Sequence, residues 1–381
     1  MIKIKSDKII IEKQLFDGYL YIENDKIVEV SKEDKPCDEF YDYTGKYVSP
    51  GFIEIHTHGA GGYCFINSCS EDMIKGCEYH LDHGATSILP TVTSGPFKNM
   101  KKAVGDIAEA MQSGKCKSNI LGAHMEGPYF SLKQAGAQCP DYITPPVKED
   151  YESLIKDYPG IVKRFSFAPE NDKDAEFTKF LVKNDIIAAI GHSDAKYQEL
   201  KDAIDSGCNL VTHLYSGCST VTRDHGFRSL GVVETAFLRD ELYAEIIADG
   251  KHLPPDLIKM IVKIKGMDKT ILCTDSLEIA GTDIVEGFMS GTAFIVEDGV
   301  CKLKDRTAFA GSVATFDRLI RVMTQECGYT VAESVYMGSK VPAELLKVQK
   351  GILKAGYDAD VIVFDDDINV SDIFVMGRKV K

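Results

Sequence analysis

The sequence lacks several features that would place the protein in a membrane or send it for export. No segment approaches the 18 or more consecutive apolar residues of a membrane span. The first eight residues hold no apolar core of a secretory signal, so we expect a cytoplasmic protein. The eleven cysteines include no Cys-x-x-Cys pair, and we expect most of them to be reduced. Cys64, Cys69 and Cys77 leave open a structural zinc or iron–sulfur site, although their spacing matches no common pattern.

Positive charge is scarce in this chain. Lys and Arg number 44 against 58 Asp and Glu, and the formal net charge is -14 at pH 7. This balance argues against nucleic acid or an anionic membrane as the main partner. An anionic small molecule would need a local basic site, and Arg223, His225 and Arg228 form the one that stands out. Arg228 is the best anion-binding candidate, because a guanidinium binds phosphate through two parallel hydrogen bonds. The alternative is a solvated loop charge.

What the chain does contain is a series of eight apolar, β-branched segments, each ending in a polar or small-residue turn. Eight strands with reactive residues at their C-terminal ends are typical of a (β/α)8 barrel enzyme. We therefore predict an α/β fold with a TIM-like barrel, and the His and carboxylate side chains indicate a hydrolytic metal site. The turns are His56-Thr57-His58, Thr91-Val92-Thr93, His124-Met125-Glu126, Pro169-Glu170, His192-Ser193-Asp194, His213, Asp249-Gly250-Lys251-His252 and Thr274-Asp275.

The two ends of the chain are rich in short strand-like segments and turns. Because domain termini are often close in space, we expect both ends to pair into one small β-sandwich domain. The predicted division is residues 1–49 and 350–381 for this composite β-domain, and residues 50–349 for the catalytic barrel. After the eighth strand, residues 281–306 predict a β excursion, and a final helix is predicted from Ala310 to about Glu326.

The first candidate metal ligands are His56 and His58. In a strand, residues i and i+2 point to the same face, so both imidazoles can hold one metal ion. A His-x-His pair alone is more often a surface or core feature. Its position at a strand end, followed by Gly59, Gly61 and Gly62, favours the metal site, because glycines permit close approach to a ligand.

Three further residues at strand ends are candidate ligands. Glu126 precedes Gly-Pro, and His192 and His213 each follow an apolar run. Each residue has a structural alternative: a turn or helix-capping carboxylate for Glu126, and a satisfied core residue for each histidine. Together they match a catalytic zinc site, which has three protein ligands and an open position for water.

Asp275 and His252 are the candidates for proton transfer and carbonyl binding. Asp275, at the end of the eighth strand, can accept a proton from an activated water and pass it to a leaving amine; the alternative is a structural aspartate. His252 can stabilise an oxyanion by donating a hydrogen bond. Asp249 can orient a neighbouring histidine or cap the turn.

Taken together, these motifs resemble those of the amidohydrolase superfamily and, within it, the N-acetylglucosamine-6-phosphate deacetylase family. The resemblance covers nearly the whole chain, and a Glu on the third strand, in place of a carboxylated Lys, points to the deacetylases. The matching segments are residues 50–59, 124–128, 135–138, 191–193, 212–215, 248–252, 274–275, 310–312 and 356–360.

This resemblance implies hydrolysis of the acetamide of N-acetylglucosamine 6-phosphate in amino sugar catabolism, by a homodimer whose partner chain lies near the phosphate. It implies one or two divalent metal ions, with zinc expected first and iron, manganese or cobalt as alternatives. By resemblance, the primary ligands are Glu126, His192 and His213, and His56 and His58 serve a second ion. Likewise Asp275 is the acid/base, His252 binds the carbonyl, Arg228 binds the phosphate, and the sugar contacts are Ala137, Gln138, Ser216, Gly217, Phe309 and Ala310.

The chain departs from the family pattern at sugar and phosphate contacts. Ser216 stands where the family has asparagine, Arg228-Ser229-Leu230-Gly231 replaces Arg-Glu-Pro-Gly, and Ser276-Leu277-Glu278-Ile279 replaces small residues and a glycine-rich turn. A second hypothesis therefore keeps the chemistry and changes the substrate to another N-acyl amino sugar or a cyclic amide. A third, a non-catalytic barrel scaffold, is disfavoured because every candidate ligand is present.

Overall fold

The structure of the protein, a computed structural model, describes residues 1–289 and 292–381. Its strands, numbered in chain order, are β1 (Ile2–Ile11), β2 (Gln14–Glu23), β3 (Lys26–Ser31), β4 (Glu39–Asp42), β5 (Tyr47–Pro50), β6 (Phe52–Thr57), β7 (Gly59–Ala60), β8 (Tyr63–Cys64), β9 (Ala85–Thr93), β10 (Asn119–Ile120), β11 (Ala123–Glu126), β12 (Val162–Phe167), β13 (Ile187–Ile190), β14 (Leu210–Val211), β15 (Thr222–Asp224), β16 (Phe227–Ser229), β17 (Tyr243–Ile247), β18 (Thr270–Cys273), β19 (Glu286–Met289), β20 (Thr292–Glu297), β21 (Val300–Leu303), β22 (Val361–Phe364), β23 (Val370–Val375) and β24 (Arg378–Lys379).

The helices surround the barrel and follow it in the chain. The α-helices are α1 (Ser70–Asp82), α2 (Phe97–Ser113), α3 (Lys148–Asp157), α4 (Glu176–Lys183), α5 (Tyr197–Asp205), α6 (Val232–Leu238), α7 (Pro255–Lys265), α8 (Phe316–Arg321), α9 (Val331–Gly338) and α10 (Lys340–Leu346). Short 3-10 turns and one π-helical turn, Val322–Glu326, complete the helical structure of the described residues. None of the helices in this part of the chain combines the length and apolar character that crossing a bilayer requires.

Eight parallel strands form the nearly closed barrel that the sequence predicts. In the order β6, β9, β11, β12, β13, β14, β17 and β18, each strand up to β17 pairs in parallel with the one that follows it. The ring closes at the carboxyl ends of β18 and β6, where the amide of Asp275 donates to the carbonyl of His56 (2.9 Å) and that of His58 to Ser276 (2.7 Å). This closure brings the first and last predicted turns side by side.

The interior of the barrel is polar near the carboxyl ends of the strands. Along β6, Ile53 and Ile55 pack outward in an apolar cluster with helices α9 and α10. Glu54 and His56 alternate with them and are fully buried. This alternation follows from the two-residue period of a strand. Because a buried polar group is costly unless it is hydrogen-bonded, an interior of this kind indicates a site.

The two ends of the chain join in one eight-stranded sheet, as the sequence predicts. Strand β5 pairs antiparallel with β22, so that Ser49 lies opposite Ile362. The first half of β1 pairs with β4 and the second half with β5, which joins the parts of the domain. A buried ion pair stabilises the junction: the Lys350 ammonium lies 2.7 Å from a carboxylate oxygen of Asp360.

The structure after β18 agrees only in part with the elements predicted from the sequence. The predicted β excursion is present as β19, β20 and β21, and residues 290 and 291 lie outside the described part. The predicted start of the next helix at Ala310 is wrong, because α8 begins at Phe316, whereas its predicted end matches the π-helical turn that ends at Glu326. It is not the final helix, because α9 and α10 follow. The physical reason is tertiary: the amide of Ser312 donates to the carbonyl of Asp275 (2.9 Å), and its hydroxyl donates to Thr274 (2.6 Å).

The carboxylate of Asp317 stabilises the start of α8. It accepts hydrogen bonds from the Arg318 amide (2.9 Å), the Arg321 guanidinium (2.7 Å) and His83 Nδ1 (3.2 Å). Burial opposes the charge, but the hydrogen bond from His83 and the other donors outweigh it and hold the pKa of Asp317 at about 2.

We expect Asp317→Asn to lower the free energy of unfolding at pH 7 by about 2 kcal/mol. Because the folded pKa lies below the unfolded value, the stabilisation is present above roughly pH 4 and is lost as the pH falls toward 2. Urea denaturation at pH 7 and pH 3 checks this, with about half of the difference remaining at pH 3. Asp256→Asn, at an exposed salt bridge with Lys259, is the control and should change little. An equal loss at both pH values would contradict the prediction.

Candidate metal centre

The candidate ligands from four strand ends converge on the Glu126 carboxylate. Its Oε1 lies 3.1 Å from His213 Nε2, 3.3 Å from His192 Nε2 and 3.4 Å from His56 Nε2. These side chains come from the carboxyl ends of β6, β11, β13 and β14, which meet at one mouth of the barrel. The tertiary structure therefore brings together the residues that the sequence predicts as ligands.

A second group of candidate ligands lies beside the first. His58 Nε2 is 3.1 Å from Glu126 Oε2 and 3.2 Å from Asp275 Oδ1, and His56 Nε2 is 3.4 Å from the same Asp275 oxygen. Glu126 thus faces both groups: Oε1 lies near His192, His213 and His56, and Oε2 lies near His58. Asp275, predicted as the acid/base, also belongs to a group of residues that could hold an ion.

The donor atoms are spaced as ligands of a metal ion would be. Nitrogen and oxygen ligands about 2.0–2.1 Å from a tetrahedral zinc ion lie roughly 3.3 Å from one another. His192 and His213 each donate Nδ1–H to a backbone carbonyl, of Gln134 (2.8 Å) and Ser216 (3.0 Å) respectively. In a neutral ring, Nε2 then presents a lone pair to the Glu126 carboxylate, an arrangement that needs a cation between the two atoms.

His56 provides an independent test of the fit. Its Nε2 is buried and has no hydrogen-bond partner among the described residues. That nitrogen faces the carboxylates of Glu126 and Asp275. A buried, unpartnered nitrogen between two carboxylates fits a divalent cation, so the residues present suit the metal that the sequence implies. By contrast, Cys64, Cys69 and Cys77 form no group of potential ligands within the described residues.

The opposite charges within the cluster lower the pKa of the Glu126 carboxylate and raise the pKa values of the His56 and His58 imidazoles. Burial opposes the charge of Glu126, but His56, His192 and His213 outweigh it and hold the pKa of Glu126 well below its usual range. Burial likewise opposes the protonation of His56 and His58, but the nearby carboxylates raise their pKa values to about 10 and about 9. A metal ion must therefore displace protons from these rings, and its affinity should increase with pH.

Three candidate residues occupy backbone conformations that are uncommon outside glycine. The φ angles are 45° at His192, 27° at His213 and 48° at Asp275. Such left-handed conformations cost of order 1–3 kcal/mol each and persist only where surrounding contacts impose them. Here the backbone amide of His213 donates to Glu245 Oε1 (3.0 Å), and that of Asp275 pairs with β6. These contacts hold the backbone of His213 and Asp275 in place at the candidate site.

Gln138, predicted as a sugar contact, also holds the Glu126 carboxylate. Its Oε1 accepts hydrogen bonds from the Thr93 hydroxyl (2.9 Å) and the Ser94 amide (3.2 Å). Because a backbone N–H can only donate, this contact determines which end of the side-chain amide is the oxygen. The Nε2 group must then face Glu126 Oε2, to which it donates at 2.9 Å.

Two buried charged residues beneath the ligands were missed by the sequence analysis. Glu245 on β17 contacts His56, and Arg164 on β12 contacts Glu245. A signal was available: Arg164 and Ser166 are polar and alternate with the apolar Phe165 and Phe167, as His124 and Glu126 alternate with Ala123 and Met125. That pattern places both members of each pair on one face.

A cavity of about 500 Å³ opens above the candidate ligands. His252 lies in its wall, and its Nδ1 donates to Asp249 Oδ2 at 2.8 Å. Asp249 Oδ1 also accepts the backbone amides of Lys251 and His252, so this carboxylate both orients the ring and caps the turn. The predicted substrate residues that line the cavity are Ala137, Gln138, Ser216, Gly217, His252, Phe309 and Ala310.

Arg228 is the predicted substrate residue that the single chain does not bring to the cavity. It lies opposite Arg223 in the hairpin formed by β15 and β16, and both side chains are exposed. None of the described residues that line the cavity is Lys or Arg. The role of Arg228 in binding a phosphate therefore stays a prediction.

The chain is similar to known proteins in both sequence and fold. A profile of the amidohydrolase family matches residues 47–381. The N-acetylglucosamine-6-phosphate deacetylase of Lysinibacillus sphaericus is 31% identical over 340 residues, which cover 88% of this chain and 86% of that protein. The N-acetylgalactosamine-6-phosphate deacetylase of Escherichia coli O157:H7 is 27% identical over 331 residues, 86% of each. The crystal structure of N-acetylglucosamine-6-phosphate deacetylase from Pasteurella multocida superimposes with a TM-score of 0.92 at 29% identity and covers 99% of both chains.

Proposed function

The chain belongs to the amidohydrolase family, and from this premise we propose that it hydrolyses the acetamide of N-acetyl-D-glucosamine 6-phosphate to D-glucosamine 6-phosphate and acetate. The observation that carries the proposal is the convergence of His192, His213 and Glu126 beside His58 and Asp275, under a cavity of about 500 Å³. The barrel, residues 50–349, would hold the reaction. Residues 1–49 and 350–381 would brace it as one β-domain.

The family is metal-dependent, and we propose two positions for an ion at the ligand groups. Glu126, His192 and His213 would hold the primary ion, and His56 and His58 would hold a second. When bound, a divalent ion supplies Lewis acidity and lowers the pKa of water toward about 7. Zinc is our first choice because it favours His and carboxylate ligands; iron, manganese and cobalt accept the same donors, and selection depends on geometry and availability.

Asp275 is proposed to move the proton. Burial opposes its charge, but His56 and His58 hold the pKa of Asp275 below its usual value, so the side chain is ready to accept a proton. It would take the proton of the attacking water and return it to the departing amine nitrogen. A positioned acid/base of this kind contributes roughly 100- to 10,000-fold to a rate.

His252 is proposed to stabilise the oxyanion that forms on the acetamide carbonyl. Its Nδ1–H donates to Asp249, and in the cationic form of the ring Nε2–H would donate to the substrate oxygen. The ring of Phe309 lies 4.8 Å from that of His252 and limits its movement. We assign the sugar contacts to Ala137, Gln138, Ser216, Gly217, Phe309 and Ala310, which line the cavity.

A phosphate group in the cavity would need a cationic side chain. Among the described residues that line the cavity, none is lysine or arginine. We propose a homodimer in which the partner's Arg228 binds the phosphate, because Arg228 lies exposed on a projecting hairpin. A sugar phosphate does not cross a bilayer unaided, so we also propose that the enzyme is cytoplasmic.

The experiment that tests the function is acetate release by protein of measured metal content. The substrates are N-acetylglucosamine 6-phosphate, N-acetylgalactosamine 6-phosphate and unphosphorylated N-acetylglucosamine. Release from the first substrate, with little from the unphosphorylated sugar, supports the proposal. Metal-loaded protein that releases acetate from none of them would refute the assigned substrate. Protein with almost no metal would favour the scaffold hypothesis.

A second candidate function keeps the reaction and changes the amide. Ser216 and Glu278 both line the cavity, and both depart from the deacetylase pattern. A serine hydroxyl replaces an amide, and Glu278 adds negative charge near an anionic substrate. Another N-acyl amino sugar, or a cyclic amide, is therefore the alternative substrate class.

For Arg228→Ala we expect KM for N-acetylglucosamine 6-phosphate to rise by roughly 10- to 100-fold with little change in kcat, because a charge-assisted hydrogen bond to the phosphate is lost. Steady-state kinetics measure both constants. Arg306→Ala, at an exposed arginine of the β excursion, is the control. An unchanged KM would remove Arg228 from the phosphate site and leave the deacetylation itself untouched.

A further inference from the structure

A buried ion pair lies beneath the metal centre and takes no part in the reaction proposed above. Arg164 and Glu245 are both fully buried, on strands β12 and β17. The guanidinium contacts both carboxylate oxygens, with Nη2 donating to Oε1 at 3.0 Å. It also donates to the Thr212 hydroxyl (2.9 Å) and to the carbonyl of Ile55 (3.2 Å). Arg164 thereby holds Glu245 in one orientation.

Glu245 Oε1 connects this pair to two of the candidate ligands. It accepts the Nδ1–H of His56 at 2.9 Å and the backbone amide of His213 at 3.0 Å. An ionised carboxylate has no proton to donate, so the proton of a neutral His56 ring must be on Nδ1. Nε2 then presents its lone pair toward Glu126 and Asp275, where an ion would bind.

His56 differs in this respect from the other candidate histidines. His192 and His213 donate Nδ1–H to neutral backbone carbonyls, and His58 Nδ1 has no partner among the described residues. Of these four rings, His56 alone has a carboxylate behind it. A carboxylate at the remote nitrogen sets the tautomer of a histidine ligand and increases its basicity.

Stability is a weak explanation for this ion pair. Moving two charges into a protein interior carries a large desolvation cost, and well-packed apolar residues of similar volume often give an equally stable protein. The pair makes four contacts with the ligand strands and their ends: Arg164 with Ile55 and Thr212, and Glu245 with His56 and His213. A role directed at the ligands accounts for all four.

We propose that Glu245, held by Arg164, is a positioning residue that sets the tautomer of His56 and so determines how tightly the second metal position, formed by His56, His58 and Asp275, holds its ion. The inference rests on the proposed function, because it assumes that the centre binds metal. The inference concerns the second position alone. Glu245 contacts the side chain of His56, but it contacts His213 only through the backbone amide.

The test is a zinc titration of the full-length protein with a competing chelator. In Glu245→Gln we expect the affinity for the second zinc equivalent to fall by roughly 10- to 100-fold, and that for the first by much less. Asp360→Asn, which breaks a similarly buried ion pair in the β-domain, is the matched control and should leave both affinities unchanged. A second equivalent bound with wild-type affinity in Glu245→Gln would overturn the inference.

Two further measurements cover the case in which Glu245→Gln does not fold. The double variant Arg164→Met/Glu245→Gln removes the unpaired buried cation and should show the same selective loss. In the zinc-loaded wild type, 15N chemical shifts should show the His56 proton on Nδ1; a proton on Nε2, or a wild type that binds only one equivalent, would refute the proposal. Failure of the wild type to bind any zinc would instead refute the proposed function.

Discussion

Asp275→Asn is expected to reduce kcat for deacetylation by roughly 100- to 10,000-fold while metal stays bound. An amide cannot accept the proton of the attacking water or deliver it to the leaving amine. The primary ligand group of Glu126, His192 and His213 does not include Asp275, so the primary ion should be retained. Steady-state kinetics with metal analysis of the same sample measure both quantities.

Asp317→Asn is the matched control for this prediction. Asp317 is also a buried aspartate of the barrel, but its partners are His83, Arg318 and Arg321 and it does not line the cavity. Its substitution should lower stability and leave kcat close to the wild-type value at temperatures where the protein is folded. Substantial turnover by Asp275→Asn would show that another group carries the proton.

Glu126→Gln is expected to have an effect of similar size through loss of the metal. Glu126 is the carboxylate that faces both ligand groups, with Oε1 near His192 and His213 and Oε2 near His58. An uncharged amide leaves these imidazoles without their anionic co-ligand. The metal supplies several kcal/mol of transition-state stabilisation, so we expect kcat/KM to fall by at least roughly 1,000-fold.

Metal content and reconstitution distinguish this effect from a general disturbance of the site. A chelator should inactivate the wild type, and added zinc should restore its activity but not that of Glu126→Gln. Glu278→Gln, at a glutamate that lines the same cavity outside the ligand groups, should keep its metal. If Glu126→Gln binds metal at the wild-type stoichiometry, Glu126 is not a primary ligand.

The fold was predictable from local patterns because strands and their ends depend on near neighbours. Alternation such as Ile53, Glu54, Ile55 and His56 identifies a strand and its inward face. The pairing of the two chain ends was also predictable, since both are β-rich. The start of α8 was not, because Ser312 is bound to Thr274 and Asp275, residues far from it in the sequence.

The candidate site also contains residues that were predictable from the sequence and residues that were not. Each ligand was visible as a polar residue after an apolar run, so Glu126, His192 and His213 could be proposed together as a metal site. Glu245 and Arg164 were not found, because neither ends a strand and their contact spans 81 positions of the chain. The pairing exists because β12 and β17 both face the interior of one barrel.

By itself, the sequence determined the order of the strands, the composite β-domain and the residue types at each carboxyl end, because these depend on periodicity and turn chemistry within a few residues. Only the tertiary structure decided that Glu126 directs one oxygen to each ligand group, that Glu245 stands behind His56, and that Arg228 lies outside the cavity of its own chain. Those relations depend on distances between residues remote in sequence, and closure of the barrel and packing of its loops set such distances.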